Sequence, residues 1–397
     1  MKKIIALLLA VVMVAALFAG CAKTEPTPTT PATEPAETTA PVETEPAETT
    51  DTEPVAEPAG EYRVAMITDY GDITDQSFNQ TTYEAGKAWC EANGVDFTYY
   101  KPTGDSTAER VAMVDAAVAD GYNVLLMPGF AFGATIAETA EMYPDVKFVA
   151  LDVSAFDLGL DPVPANVFSA VYQEELAGYM AGYAAVKLGY TKLGFLGGMG
   201  VPAVVRYGYG FVQGADAAAA ELGNTADVSV KYVYGNQFYG DTDITAYMDT
   251  WYSADTEIVF ACGGGIFTSA GEAAAKVGAK VIGVDVDQAG IIDGGYGEGM
   301  TVTSAMKGLA ATVKTLLTKV TEGAFEGGKI ETLGLVSEVP EENYVQIAGS
   351  TQFAEGFTAE DYAALVAAMF KGEVTVSNDI EAEPATEIAV DYQGNIK

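Results

Sequence analysis

The feature that most constrains the fold is an alternation of short apolar runs with longer helical segments over residues 61–377. The predicted strands are 64–68, 95–100, 124–127, 147–151, 192–196, 228–234, 258–261 and 280–284. The predicted helices, rich in Ala, Glu, Met and Leu, are 77–93, 107–120, 134–143, 173–188, 203–222, 243–253, 269–277 and 304–322. Short buried strands that alternate with helices predict an α/β fold with doubly wound parallel sheets and right-handed crossovers.

The body of the chain also contains a coarse internal repeat, which predicts two similar lobes. One series of strand–helix units ends in an apolar strand and Asp152, and a second series ends in the same way at Asp285. A body of this length exceeds most single hydrophobic cores. In open α/β sheets the ligand lies beyond the carboxyl ends of the strands, so these ends should face one cleft. The loops concerned are 69–80, 127–130, 151–152, 197–200, 235–238, 262–265 and 284–285.

Each predicted lobe is built from two parts of the chain. We expect the N-terminal lobe to comprise 61–168 plus 301–335, and the C-terminal lobe to comprise 169–300 plus 336–377. The chain would then cross between the lobes near 168, 301 and 336. The tail at 378–397 contains Glu-Ala-Glu-Pro and is expected to be solvated material without a packed core.

The first sixty residues predict export and attachment to a membrane. Lys2 and Lys3 precede an apolar run at 4–18, and small residues then lead to Cys21. This pattern predicts a lipoprotein signal peptide at 1–20 and a lipid on Cys21, since the run is short for a bilayer span of about 20 residues. Residues 21–60 are almost entirely Pro, Thr, Glu and Ala, which predicts an extended, disordered linker.

The composition excludes several classes of function. A formal net charge of −36 argues against nucleic-acid binding, which requires concentrated positive charge. The sequence contains no histidine, which excludes Ser-His-Asp and Cys-His catalysis and the commonest zinc ligand. Apart from Cys21, the cysteines are Cys90 and Cys262, whose apolar surroundings favour buried free thiols over a disulfide.

The loop DYGDITDQSFNQ at 69–80 places three acids directly after a predicted strand. Their spacing does not match a calcium loop, which needs alternate oxygen ligands and a distal Glu. Either Asp75 or Ser77 is placed to cap the helix that follows. Asp72 and Asn79 then remain to face the cleft and bind a ligand.

Other strand ends carry weaker signals. The glycines at 263–265 lack the Lys-Ser/Thr of a phosphate loop, so close approach of a ligand or ordinary turn chemistry fits them better. Asp72, Asp152 and Asp285 could lie in one cleft, where two of them could act as a carboxylate pair for hydrolysis, although no second feature supports turnover. Lys307, one of few cations here, would hold neighbouring aspartates ionised and donate to a ligand.

A set of motifs resembles the basic membrane protein family, the PnrA-like purine nucleoside receptors of ABC transporters. They occur in the family's order and cover almost all of 61–345. The motifs are TDYGD at 68–72, DQSFN at 75–79, YPDVKF at 143–148, QEELAG at 173–178, GFLGG at 194–198, GFVQG at 210–214, GVDVDQ at 283–288 and TSAMK at 303–307.

The resemblance implies a type I periplasmic-binding-protein fold, in which two α/β lobes close on a ligand. Phe238 would stack on a purine base, Asp285 and Lys307 would hold the ribose, and Gly264 would allow close approach. Asp72, Asn79 and Asp152 would face the base. The implied ligand-binding residues are Asp72, Asn79, Thr81, Asp152, Phe238, Gly264, Asp285 and Lys307. The candidates for a second stacking ring are Phe78, Tyr83 and Phe130.

The function implied by the resemblance is that of a lipid-anchored, extracytoplasmic solute-binding protein that delivers a purine nucleoside to an ABC permease. Neither enzymatic activity nor a metal or cofactor is expected, and the receptor should be a monomer. The same role for riboflavin, a nucleobase or a sugar is an alternative. A nucleoside hydrolase and a chemosensory lipoprotein are further alternatives.

Overall fold

The computed structural model of the chain describes residues 62–396. The predicted signal peptide, Cys21 and the linker therefore lie outside the described residues. Within 62–396, none of the helices combines the length and the apolar composition that crossing a bilayer requires.

Strands and helices alternate along the described chain as the sequence predicts. The strands are β1 (Arg63–Ile67), β2 (Asp96–Tyr100), β3 (Val124–Pro128), β4 (Lys147–Leu151), β5 (Val167–Tyr172), β6 (Lys192–Gly197), β7 (Ser229–Tyr234), β8 (Ile258–Cys262), β9 (Lys280–Asp285), β10 (Thr301–Lys307), β11 (Lys329–Leu333), β12 (Val345–Ile347) and β13 (Ala389–Asn395). The helices are α1 (Phe78–Asn93), α2 (Thr107–Ala119), α3 (Phe132–Thr139), α4 (Ala155–Leu158), α5 (Glu174–Lys187), α6 (Pro202–Leu222), α7 (Thr242–Ala254), α8 (Phe267–Val277), α9 (Ala289–Tyr296), α10 (Leu309–Thr321) and α11 (Ala359–Phe370).

The strands form two sheets, which confirms the predicted α/β class. The first sheet has the order β11-β5-β4-β3-β1-β2, and all of its neighbouring strands run parallel. The second sheet has the order β12-β10-β9-β8-β6-β7-β13, in which β12 alone is antiparallel to its neighbour. We call the first sheet with its helices lobe 1 and the second sheet with its helices lobe 2.

The strand pairing corrects the predicted boundaries between the lobes. β5 stays in the first sheet up to Tyr172, so the first crossing falls after the predicted position of 168. β10 belongs to the second sheet because it pairs with β9, whereas the prediction assigned 301–335 to the first lobe. The segment predicted as a helix at 304–322 therefore begins as a strand.

The C-terminal tail is also ordered, contrary to the prediction for 378–397. β13 pairs in parallel with β7, with Ala389 opposite Ser229. Ile388, Val390 and Tyr392 alternate with the exposed Ala389 and Asp391, and this period of two is typical of a strand with one packed face. The composition of the tail did not predict β13 because Glu and Pro are frequent in the residues that precede it.

Helices α5 and α6 touch backbone to backbone. A Cβ atom added at Gly210 would lie 2.1 Å from the carbonyl oxygen of Glu175, and one at Gly178 would lie 2.1 Å from that of Tyr207. Contact this close is open only to glycine. α5 follows β5 and α6 follows β6 through a short loop, so their packing brings Glu174 and Arg206 together near the carboxyl ends of these strands.

Candidate functional site

A cavity of about 500 Å³ lies between the carboxyl ends of the two sheets. Its volume falls within the range of about 300–1,000 Å³ that is usual for small-molecule sites. Thr81, predicted to bind the ligand, does not line this cavity. The predicted residues that do line it are Asp72, Asn79, Asp152, Phe238, Gly264, Asp285 and Lys307.

The acidic residues in the loop between β1 and α1 have different structural roles. The carboxylate of Asp75 accepts the backbone N–H groups of Ser77, Asn79 and Gln80 at 2.9, 2.9 and 3.0 Å. Asp75 is therefore the residue that satisfies the free amides at the start of α1. The Ser77 hydroxyl instead crosses the cleft and donates to Asp285 at 2.6 Å.

The other two acids of this loop, Asp69 and Asp72, are paired within the protein. Asp69 is buried, and its Oδ1 accepts the N–H groups of Tyr70 and Gly71 at 2.7 and 2.6 Å, so it shapes the turn. Burial raises the pKa of Asp69. Asp72 lies at the rim with its side chain 57% exposed and pairs with Lys101 at 2.8 Å, a bond that lowers its pKa. Its carboxylate is thus occupied by the protein itself.

Lys307 stands at the centre of a buried group of carboxylates, which we call the acid–lysine cluster. Its Nζ lies 2.5 Å from Asp152, 3.5 Å from Glu174 and 3.8 Å from Asp285. Burial alone would lower the pKa of Lys307, but the charges of these carboxylates outweigh it and keep the pKa above its ordinary value. Lys307 is therefore the charged partner of acids from both lobes.

Glu174 and Arg206 extend this cluster, and the sequence analysis gave neither a role. Arg206 donates its Nε to Glu174 at 2.7 Å, and Glu174 is fully buried. Burial raises the pKa of Glu174, opposed by the charges of Arg206 and Lys307. The motif that contains Glu174 was recognised only as part of the resemblance, because its burial depends on the packing of α5 against α6.

Asp152 and Asp285 share an unusual backbone conformation. Their φ angles are +60° and +66°, in the left-handed region that non-glycine residues seldom occupy. Both stand at the carboxyl end of the last strand of a repeated unit, at the positions that the internal repeat of the sequence indicated. Such conformations cost free energy and are concentrated at functional sites, which makes both aspartates candidates for ligand binding.

Two aromatic rings face each other across the cleft. Tyr70 of lobe 1 and Phe238 of lobe 2 have ring centroids 6.4 Å apart and planes 26° apart. Tyr70 was not among the predicted candidates for the second ring. Of those candidates, Phe78 lies over Lys307 at 4.8 Å, and Tyr83 packs on Phe97 at 5.6 Å. The signal that could have identified Tyr70 is its place in the polar loop 69–80, at the carboxyl end of β1.

Glycines make room for the Phe238 ring. Gly264 has a φ of +51°, and a Cβ atom there would lie 2.7 Å from the Phe238 carbonyl oxygen. A Cβ atom at Gly198 would lie 2.3 Å from the ring itself. The close approach predicted at Gly264 is therefore made by the protein's own Phe238.

Three buried polar atoms of the cavity wall have no hydrogen-bond partner among the described residues. They are the Oδ1 of Asn79, the Oδ1 of Asp152 and the hydroxyl of Tyr207. Buried polar groups are normally paired, and an unpaired one destabilises the fold by about 1–3 kcal/mol. These atoms are therefore available to a polar ligand. The free, buried thiol of Cys262 lies beside them, and Cys90 is likewise free and buried, as predicted.

Replacing Glu175 by glutamine is expected to stabilise the protein at high pH. Glu175 is 3% exposed, and burial, together with the charge of Glu174, raises its pKa from 4.5 to about 7 against the opposing effects of its own N–H and Arg206. Ionisation is thus disfavoured in the folded state, and stability is lost as pH rises from 4.5 through 7. A pKa change of one unit corresponds to about 1.36 kcal/mol, so the gain should reach roughly 3 kcal/mol at pH 8.

Urea unfolding of the Glu175→Gln variant and the parent protein at pH 8 and pH 4.5 measures this difference. The gain should disappear at pH 4.5, and Glu298→Gln, at an exposed position, should change little at either pH. An equal gain at both pH values would show that Glu175 does not titrate as described.

Comparison with known proteins places this site in a family. The model of the family "ABC transporter substrate-binding protein PnrA-like" matches residues 62–348. The chain belongs to this family. The resemblance drawn from the sequence motifs is thereby confirmed. Members of the PnrA-like family are solute-binding proteins of ABC transporters and not enzymes. A small-molecule ligand and a permease are therefore the partners of this protein.

Curated relatives of the PnrA-like family cover most of the described chain. The "ABC transporter nucleoside-binding protein BmpA" of Lactococcus lactis is 29% identical over 290 residues, which span 69% of this chain and 79% of that protein. The "CD4+ T-cell-stimulating antigen" of Listeria monocytogenes is 29% identical over 288 residues, which span 68% of this chain and 77% of that protein.

A solved structure supports the fold of this PnrA-like protein. An ABC transporter solute-binding protein from Aeropyrum pernix superposes with a TM-score of 0.62 and 24% identity, covering 81% of this chain and 88% of that one. This likeness shows the two-lobed solute-binding fold. It confirms the predicted fold class.

Proposed function

We propose that this substrate-binding protein is the receptor of an ABC importer for a purine nucleoside, held on the outer face of the cell membrane by a lipid on Cys21. The nucleoside assignment rests on the paired rings of Tyr70 and Phe238 beside the acid–lysine cluster. The printed name of the Lactococcus lactis relative agrees with it. The assignment of a lipid rests on the sequence pattern around Cys21.

The gap between Tyr70 and Phe238 suits a flat aromatic ligand. A base between two rings makes two stacking contacts of about 3.5 Å each, or about 7 Å in total. The observed centroid separation of 6.4 Å is shorter than this, so the two rings must move apart to admit a base. Because one ring comes from each lobe, a stacked base would hold the lobes together.

The acid–lysine cluster suits the hydroxyl groups of a ribose. An ionised carboxylate makes strong, charge-assisted bonds to hydroxyl donors. Asp152 has an unpaired Oδ1, Asp285 lines the same wall, and Lys307 can donate to a ring or hydroxyl oxygen. The unpaired Oδ1 of Asn79 can accept an N–H group of the base. Together these groups recognise both ends of a nucleoside.

Contacts between the lobes favour closure around such a ligand. Besides Ser77 to Asp285, the Nε2 of Gln288 donates to the carbonyl of Gln76 at 3.1 Å, and the Tyr70 hydroxyl donates to the Met199 sulfur at 3.2 Å. A ligand that touches both lobes shifts the equilibrium towards the closed form by its differential affinity. The permease would then recognise the closed receptor.

Native mass spectrometry of the purified protein, followed by calorimetric titration, tests the ligand class. Inosine, guanosine, adenosine, uridine and riboflavin form the panel. Exothermic one-to-one binding of a purine nucleoside supports the proposal. Absence of binding to every nucleoside, with riboflavin or another ligand retained, would keep the receptor role and refute the nucleoside.

Replacing Phe238 by leucine is expected to weaken nucleoside binding by about 1–3 kcal/mol, or roughly 5- to 150-fold in Kd, because one stacking face is lost. Phe370→Leu, at an exposed position at the end of α11, is the control and should leave the Kd unchanged. Titration with inosine measures both variants. An unchanged Kd for Phe238→Leu would show that the Phe238 ring does not stack on the bound nucleoside.

A further inference from the structure

The C-terminal segment after residue 348 lies outside the part of the chain that the family model matches. It returns along the surface of lobe 2 and is fixed at several points. The N–H of Ser377 donates to Gln213 at 2.9 Å, and the N–H groups of Glu387 and Ile388 donate to Asp216 at 2.8 and 3.0 Å. The segment then ends in β13, the edge strand of the second sheet.

Successive residues of β13 contact opposite faces of the sheet, as expected for a strand. The Tyr392 ring packs on Tyr232 at 5.0 Å and on Tyr209 of α6 at 6.3 Å. The Gln393 Oε1 accepts the Tyr247 hydroxyl at 2.8 Å and the Trp251 Nε1–H at 3.1 Å, both from α7. β13 therefore ties the sheet to a helix on each side.

The loop at 235–241, which carries Phe238, is held between the two elements that β13 binds. It begins where β7 ends, and there the N–H of Ile396 donates to the carbonyl of Tyr234 at 2.9 Å. It ends where α7 begins, the helix that Gln393 contacts. Gly394 between these contacts has a φ of +69°, at a shift in register that lets neighbouring residues reach both elements.

We propose that β13 is a positioning element for Phe238 and that Gln393 is its main positioning residue. By fixing β7 and α7 relative to each other, β13 sets the height of the Phe238 ring over the cleft. The consequence for nucleoside affinity rests on the proposed function, whereas the consequence for the mobility of the loop does not.

Gln393→Ala in the full chain, with Gln352→Ala as a matched control, tests the proposal. Gln352 also makes two hydrogen bonds, to the carbonyls of Gly299 and Thr301 at 2.9 and 2.8 Å, but at the opposite end of the second sheet. Hydrogen exchange of the amides at 235–241 and calorimetric titration with inosine are the two measurements.

Gln393→Ala should accelerate exchange at 235–241 and leave the lobe 1 loop at 69–76 unchanged. The Kd for inosine should rise about threefold to tenfold, since one to two modest hydrogen bonds no longer restrain the loop. Gln352→Ala should alter neither quantity. Unchanged exchange at 235–241 in Gln393→Ala, or an equal change in Gln352→Ala, would overturn the proposal. If the parent protein binds no nucleoside of the panel, the nucleoside assignment fails, and the exchange measurement still decides the role of β13.

Discussion

Replacing Lys307 by methionine is expected to lower the free energy of unfolding by about 3–5 kcal/mol at pH 7, the usual cost of removing one partner from a buried ion pair. Lys307 is 6% exposed and is the cation shared by Asp152, Glu174 and Asp285. Methionine keeps much of the side-chain volume but leaves these carboxylates without their common partner. Nucleoside binding should be lost as well, because the repelling acids come from both lobes.

The loss caused by Lys307→Met should depend on pH in a defined direction. Burial already raises the pKa of Asp285, and the charge of Lys307 opposes that rise. Without Lys307 the pKa should rise further, so the ionised form is penalised in the folded state and stability falls as pH increases. The difference between variant and parent should therefore shrink as the pH is lowered towards the ordinary pKa of a carboxyl group.

Lys101→Met is a matched control from the rim of the same cleft. Lys101 pairs with Asp72 at 2.8 Å, but both side chains are substantially exposed, at 43% and 57%. An exposed pair of this kind contributes about 0–1 kcal/mol. Urea unfolding at pH 7 and pH 5 compares the two variants. Equal losses of unfolding free energy in the two variants would mean that the buried ion pairs of Lys307 stabilise the protein no more than the exposed pair of Lys101 does.

The fold was largely predictable because most of the predicted strands are largely buried and appear as apolar runs. β10 was missed because Thr303-Ser-Ala-Met has no preference strong enough to exclude a helix. Its conformation is decided by pairing with β9 and β12, a tertiary effect that local sequence does not record. β13 was missed for a related reason, since a short alternating pattern follows a long polar segment.

The site was predictable where local sequence and strand position coincide. Asp152 and Asp285 were found because each follows a buried strand in a repeated unit. Glu174 and Arg206 were not, because their contact depends on two helices that meet only in the folded protein. The pairing of Asp72 with Lys101 was not foreseen either, because Lys101 follows another strand and the sequence does not show that the two meet.

Replacing Gly210 by alanine is expected to destabilise the protein by about 3 kcal/mol, at the upper end of the usual cost of overpacking a core. The added methyl group would lie 2.1 Å from the carbonyl oxygen and 2.7 Å from the carbonyl carbon of Glu175. These are backbone atoms, so no rotation of a side chain can relieve the overlap. Helices α5 and α6 must move apart instead.

Gly294→Ala in α9 is the control for this substitution. A Cβ atom at Gly294 meets no atom within 4 Å, so the usual helical preference for alanine should stabilise the protein by about 0.5–1 kcal/mol. The two variants make the same chemical change in a helix, and their stabilities should move in opposite directions in urea unfolding. Equal stabilities would show that α5 and α6 are not in backbone contact.

The effect of Gly210→Ala should also reach the binding site. Separation of the two helices would lengthen the bond of 2.7 Å between Arg206 and Glu174, and Glu174 is in turn 3.5 Å from Lys307. Nucleoside affinity should therefore fall in the folded fraction of Gly210→Ala, although Gly210 does not line the cavity. Unchanged affinity together with reduced stability would mean that the acid–lysine cluster keeps its geometry independently of the helix pair.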